Sequence, residues 1–101
     1  TEFNARLNLW ADFLNDYRRH PDANEDRYAY EISRRVMLHL LLPDTLDLPE
    51  ANQELLSSLD LLLKTVLIPG QFIWDEILQT AFPKDPYWYL YGYLPRTPEQ
   101  N

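Results

Sequence analysis

The chain has 101 residues and not one cysteine. That absence removes a disulfide framework, a cysteine-ligated zinc or iron–sulfur site and a thiol nucleophile. Glycine is nearly as scarce, present only as Gly70 and Gly92. A phosphate-cradling loop needs closely spaced glycines so that backbone N–H groups can converge, and two isolated ones cannot supply it. Apolar runs are short as well. A membrane-spanning helix takes roughly 18–20 apolar residues. The longest stretches here, "VMLHLLLP" and "LDLLLKTVLI", are interrupted by proline, histidine or charge. With no basic-then-apolar opening stretch either, a soluble cytoplasmic protein is expected.

Positive charge is the next shortage. Lys and Arg together number 9 against 16 Asp and Glu, for a formal net charge of −7. The deficit lies in one part of the chain. Residues 1–35 hold six basic and seven acidic side chains, whereas Lys64, Lys84 and Arg96 face nine acids in residues 36–101. Phosphate-backbone binding requires clustered cations, so no nucleic-acid partner is expected. The basic residues that do cluster are Arg18, Arg19, Arg27, Arg34 and Arg35. Glu31 stands four positions from both Arg27 and Arg35, the spacing of helical ion pairs, so local pairing is the expected use of that charge.

Chemistry-bearing patterns are equally thin. Asp22, Asn24 and Asp26 match the opening ligands of a calcium loop, but Arg27 replaces the turn glycine and Ser33 the bidentate glutamate. Helix capping accounts for Asp22 without a metal. His39 lies among leucines with no lysine nearby in sequence, and His20 precedes Pro21 in a turn. Neither suits phosphotransfer, and two separated histidines do not make a metal site. The carboxylate pairs Asp12/Asp16 and Asp22/Asp26 lack the Glu-x-x-His element of a di-iron bundle. Ser57 and Ser58 have neither a neighbouring base nor a glycine elbow. The expectation is a non-catalytic protein with no cofactor and no metal.

What the chain has is helical periodicity punctuated by proline. Hydrophobic residues make up 46% and charged ones 25%, which places it with ordinary globular domains of one core. Phe3, Leu7, Trp10, Leu14 and Tyr17 form one stripe, broadened by Phe13, and His20-Pro21 ends that helix. Asp22 then reads as the cap of a second helix reaching about Leu42, with Ala29, Ile32, Val36 and Leu40 inward and Tyr28 and Met37 beside them. A start signal at Asp47-Leu48-Pro49-Glu50 opens a third helix. Leu55, Leu56, Leu59, Leu62, Leu63, Val66 and Leu67 cover much of its circumference, so it is expected to be the most buried. After Pro69-Gly70, a short fourth helix is expected from Phe72, Ile73, Ile77, Leu78 and Ala81. The fold class is therefore all-α: about four helices in residues 1–95, with 96–101 as a flexible tail.

The stretch "KDPYWYLYGYLP" places Tyr87, Trp88, Tyr89, Tyr91 and Tyr93 within seven positions. As a strand it would have no evident partner. As one or two helical turns it has Asp85 to cap, Pro86 at the first position and Gly92 as a left-handed stop, followed by extended chain. A short element cannot bury every ring on a small bundle, and tyrosine and tryptophan are enriched at interface hot spots. With Trp74, these residues form the candidate partner-binding set; the alternative is that they simply cap the bundle. The functional expectation is a small acidic protein–protein interaction module, an adaptor, assembly factor or regulator, in its simplest variant a homodimer. An acidic inhibitor or immunity-type protein that mimics nucleic acid is the first alternative, and a small ligand-binding bundle the second.

Overall fold

In a computed structural model of the protein, residues 2–42 and 48–97 are described. They form a mostly helical small domain with a two-stranded antiparallel sheet. The helices are α1 (Glu2–Arg19), the single turn α2 (Pro21–Asn24), α3 (Tyr28–Leu41) and α4 (Glu50–Val66). The strands are β1 (Ile68–Phe72) and β2 (Tyr91–Tyr93), and short 3-10 turns occupy Glu25–Arg27, Glu76–Leu78 and Trp88–Leu90. Among the described residues no helix is long and apolar enough to cross a membrane.

Helix α1 follows its sequence stripe throughout. Phe3, Leu7, Trp10, Phe13, Leu14 and Tyr17 are all buried, and Asp12 and Asn15 face water. This helix and α3 are both more buried than the leucine-rich α4. Helix α4 covers only Leu56, Leu59 and Leu63, and Leu61 is 67% exposed. Helix α1 lies against both α3 and α4, and α4 meets α3 through the Arg35–Asp60 pair. The Asp47 cap and the Pro43 stop lie outside the described residues. Helix α4 itself starts at Glu50, with the Pro49 carbonyl accepting from the Asn52 and Gln53 amides.

The second expected helix is broken near its start. Pro21 opens α2 and Asp22 makes no side-chain cap, so the capping role assigned to Asp22 is not realised. The break is held by Asn24. Its Nδ2 donates to the carbonyls of Asp16 and His20 at 3.1 and 2.9 Å, while its Oδ1 accepts from Arg27 Nη1 at 2.7 Å. A buried amide thereby satisfies carbonyls near the end of α1, as helix C-termini require. Helix α3 buries the expected Ile32 and Val36, with Tyr28 beside them, but not Ala29 or Leu40. Tyr28, Glu31, Ile32, Arg35, Val36 and Leu38 are buried, and Ala29 and Leu40 are exposed.

The fourth helix does not form, and the fold is not all-α. Leu67 already leaves helical geometry, at φ −67° and ψ 128°. Ile68 precedes a proline, which disfavours the helical region, so the chain stays extended into β1. There it pairs with β2, Ile68 opposite Tyr93 and Pro69 opposite Gly92, with an irregularity before the Phe72–Tyr91 pair. Gly92 is not a helix stop. At φ +159° it lies against β1, and a Cβ there would run into the Ile68 carbonyl oxygen. Its role is close approach. Asp85 likewise caps nothing; the Asp85–Pro86 peptide is cis, and a single 3-10 turn at Trp88–Leu90 leads into β2.

Candidate interaction surface

The irregular C-terminal half is fixed to the helices by polar tips of aromatic side chains. The Tyr17 hydroxyl donates to the Pro95 carbonyl and the Tyr28 hydroxyl to the Tyr89 carbonyl, both at 2.6 Å. Tyr91 donates to the Phe82 carbonyl at 2.7 Å, and Trp74 Nε1 to the Ala29 carbonyl at 3.0 Å. Segments without regular structure leave backbone carbonyls that need partners when buried, and these donors provide them. Ring edges continue the framework. Trp74 meets Phe82, Phe82 meets Tyr87, Tyr87 meets Tyr89, and Tyr89 meets Trp88, at centroid distances of 5.4, 5.0, 6.2 and 5.3 Å. His39 closes on Tyr87 at 5.1 Å.

Under that chain of rings lies an ion pair. Arg35 on α3 donates from Nε and Nη2 to the two carboxylate oxygens of Asp60 on α4, at 2.8 and 2.9 Å. Its guanidinium sits 4.9 Å from the centre of the Tyr89 ring. Burial opposes the Arg35 charge, but the hydrogen bonds and charge of Asp60 outweigh it and hold the proton more tightly than usual. The pairing expected between Arg35 and Glu31 is therefore absent. Glu31 instead holds Arg27 at 3.4 Å and Arg34 at 2.8 Å. Spacing by four permitted both partners, and a carboxylate on the neighbouring helix won Arg35 with a bidentate geometry.

The tyrosines respond to this setting. Burial, and then the charge of Glu25, pushes the Tyr17 hydroxyl up to about 12. Burial does the same for Tyr89, also to about 12, with Arg35 opposing and Tyr87 and Asp60 assisting. Tyr28 is raised well above the ordinary phenol value, chiefly by burial.

The six aromatic residues singled out by sequence do not form one exposed patch. Tyr87, Tyr89 and Tyr91 are core residues, and Tyr89 is 1% exposed. Trp74 and Trp88 are half-buried, the latter beneath Lys64 Nζ at 5.0 Å from its ring centre. Tyr93 alone stands out, at 57%. A buried ring contributes roughly 2–3 kcal/mol to folding, which explains why most of the set is drawn inward.

The most exposed large apolar side chain belongs to the segment expected to form the fourth helix. Ile77 is 82% exposed and Leu78 41%, on a 3-10 turn that stands in place of the expected helix. Asp75 stabilises that turn by accepting the Ile77 amide at 3.1 Å, a local bond that competes with helix. The signal that could have revealed this is the pair Trp74-Asp75: an aromatic anchor followed by a turn-forming acid. Between this turn and β1 lies a recess of about 300 Å³ lined by Gln71, Phe72, Trp74, Glu76, Gln79 and Tyr91. A Cβ added at Gly70, on β1, would lie 4.0 Å from the Tyr93 ring, so the exposed tyrosine borders the same strand.

No protein-family model matches the chain, and no curated protein or solved structure matches it.

Proposed function

We propose that the protein is a small acidic, non-catalytic module that binds another protein, as an adaptor, assembly factor or regulator. The working face is β1, β2 and the turn at 75–80. One observation carries this reading: Ile77 and Tyr93 project into water from a framework that is otherwise tied down by buried aromatic residues. An isoleucine held out at 82% exposure on a fixed turn is a poor choice for folding and a good anchor for a partner. Self-association through the same face is the simplest variant.

The test compares the native chain with the double variant Ile77→Asp, Tyr93→Ser. Both are immobilised, and proteins captured from the native host are compared. The expected result is a defined partner retained by the first and lost by the second, at equal helical content. Identical capture by both would reject the face. Sedimentation across a range of concentrations separates the self-association variant, which requires a mass that rises with concentration and falls in the double variant.

A further inference from the structure

The recess beside Ile77 has a chemistry of its own. Phe72 and Tyr91 form one part of its lining, their rings 5.3 Å apart, and Tyr91 is pinned by its hydroxyl bond to Phe82. Trp74 belongs to the lining too, but its ring packs edge-on against Phe82, and its Nε1 is committed to α3. Tyr91 and Trp74 are therefore fixed by contacts made outside the recess. Around them stand three side chains with oxygen acceptors: Gln71, Glu76 and Gln79, all exposed. Glu76 has no ion-pair partner among the described residues. No Lys or Arg lines the recess, and none occurs in the sequence from Thr65 to Pro83.

Elsewhere the molecule places cations over aromatic rings. Arg27 lies over Phe13 at 5.1 Å, Arg35 over Tyr89 at 4.9 Å and Lys64 over Trp88 at 5.0 Å. This recess likewise has aromatic lining residues, here beside the Glu76 carboxylate, and no Lys or Arg of the chain lines it. We propose that it seats an arginine side chain of the partner protein, with the partner's adjoining apolar residue resting on Ile77 and Leu78. Arginine suits it better than lysine because a planar guanidinium can lie along an aromatic face while several N–H groups reach separate oxygens. The net charge of −7 favours approach of a basic segment. The proposal rests on the protein-binding reading of this face and adds the identity of the side chain that enters it.

The test uses the full chain labelled with nitrogen-15 and follows its indole N–H signals during titration with a capped leucine-arginine-leucine tripeptide. The matched leucine-citrulline-leucine peptide keeps the shape and removes the charge. The expected result is a saturable shift of the Trp74 signal with the arginine peptide and none with citrulline. Glu76→Gln weakens binding by about tenfold, the scale of one hydrogen bond to a charged group. The buried Trp10 signal, unchanged throughout, reports that each variant is folded. Absence of a saturable shift, equal response to citrulline, or undiminished binding by Glu76→Gln overturns the proposal. So does binding of free guanidinium ion as tight as that of the peptide, since the site would then not select a protein segment. A host partner still captured through Ile77 and Tyr93 after such a failure leaves the protein-binding reading standing and removes only the arginine.

Discussion

The hydroxyl of Tyr28 donates to the carbonyl of Tyr89 across 61 positions of sequence, at 2.6 Å in a buried setting. Tyr17 does the same for Pro95 across 78 positions. Two helices thus each lend a phenol to the backbone of the last structured segment. That segment has little regular hydrogen bonding of its own beyond a three-residue strand. Its rings fill space between α3 and α4, and its carbonyls are satisfied by side chains from the helices it covers. Removing the segment would leave those phenols buried or exposed without acceptors, so the helices and the C-terminal part are expected to fold as one unit.

Tyr28→Phe is expected to cost about 1–3 kcal/mol, because it strands a buried carbonyl without its donor. Tyr89→Phe is expected to be neutral or stabilising. The Tyr89 hydroxyl is buried with no hydrogen-bond partner among the described residues, and its removal relieves that penalty. Urea unfolding of the two variants checks the pair. A stability loss in Tyr89→Phe equal to that in Tyr28→Phe would contradict the assigned bonding.

Asp60→Ala removes the acceptor of a 7%-exposed arginine. Breaking one side of a buried pair costs about 3–5 kcal/mol, reduced here because the Asp60 side chain is 23% exposed. Replacing both residues, Arg35→Met with Asp60→Leu, is expected to recover most of the loss, since no uncompensated charge then remains. A double-mutant cycle in denaturant measures the coupling.

Gly92→Ala tests the strand pairing directly. An added Cβ meets the Ile68 carbonyl oxygen and Leu67 Cγ, the first of them backbone that cannot swing aside. The variant is expected to lose more than about 2 kcal/mol and the β1–β2 protection in hydrogen exchange, while α1 protection persists to the global limit.

What the sequence disclosed depended on how local the determining forces were. The α1 stripe was legible because one face of one helix is buried along its whole length. Pro69 was legible as a break, but not as an edge strand, because its partner lies more than twenty residues on and nothing local names it. The segment from Ile73 to Ala81 carries helical apolar spacing, yet Trp74 is committed to the Ala29 carbonyl and Asp75 to the Ile77 amide. Those two bonds redirect the chain, and the stripe becomes an exposed anchor. The aromatic density at Tyr87–Tyr93 was visible at once. Which rings are covered depends on α3 and α4, and that is tertiary information.

Alkaline pH should unfold the protein more readily than its composition suggests. Tyr17 and Tyr89 are raised to about 12 in the folded state, and burial also raises Tyr28 well above the ordinary phenol value. An unfolded phenol ionises near 10. Between about pH 10 and 12 the unfolded chain therefore binds fewer protons than the folded one, and stability falls as pH rises. Below about pH 10 these groups leave stability unchanged. The expected record is a flat unfolding midpoint up to that pH and a steep decline above it, with phenolate absorbance appearing together with loss of helix. Tyr17→Phe is expected to flatten part of the decline.

Two tyrosines of the same strand provide the sharpest contrast. Tyr91 is 9% exposed, packs on Phe72 and donates to the Phe82 carbonyl; Tyr93, two residues on, is 57% exposed and makes no side-chain hydrogen bond among the described residues. Tyr91→Ala empties a core site and strands a carbonyl, for a cost of about 3–5 kcal/mol. Tyr93→Ala is expected to stay within about 0.5 kcal/mol of the native chain, as surface substitutions do. Thermal unfolding ranks the two. A large loss in Tyr93→Ala would make that ring part of the fold and leave Ile77 and Leu78 as the apolar anchors of the proposed surface. A small one leaves Tyr93 free to be spent on a partner, and capture experiments can then use it without confounding binding with stability.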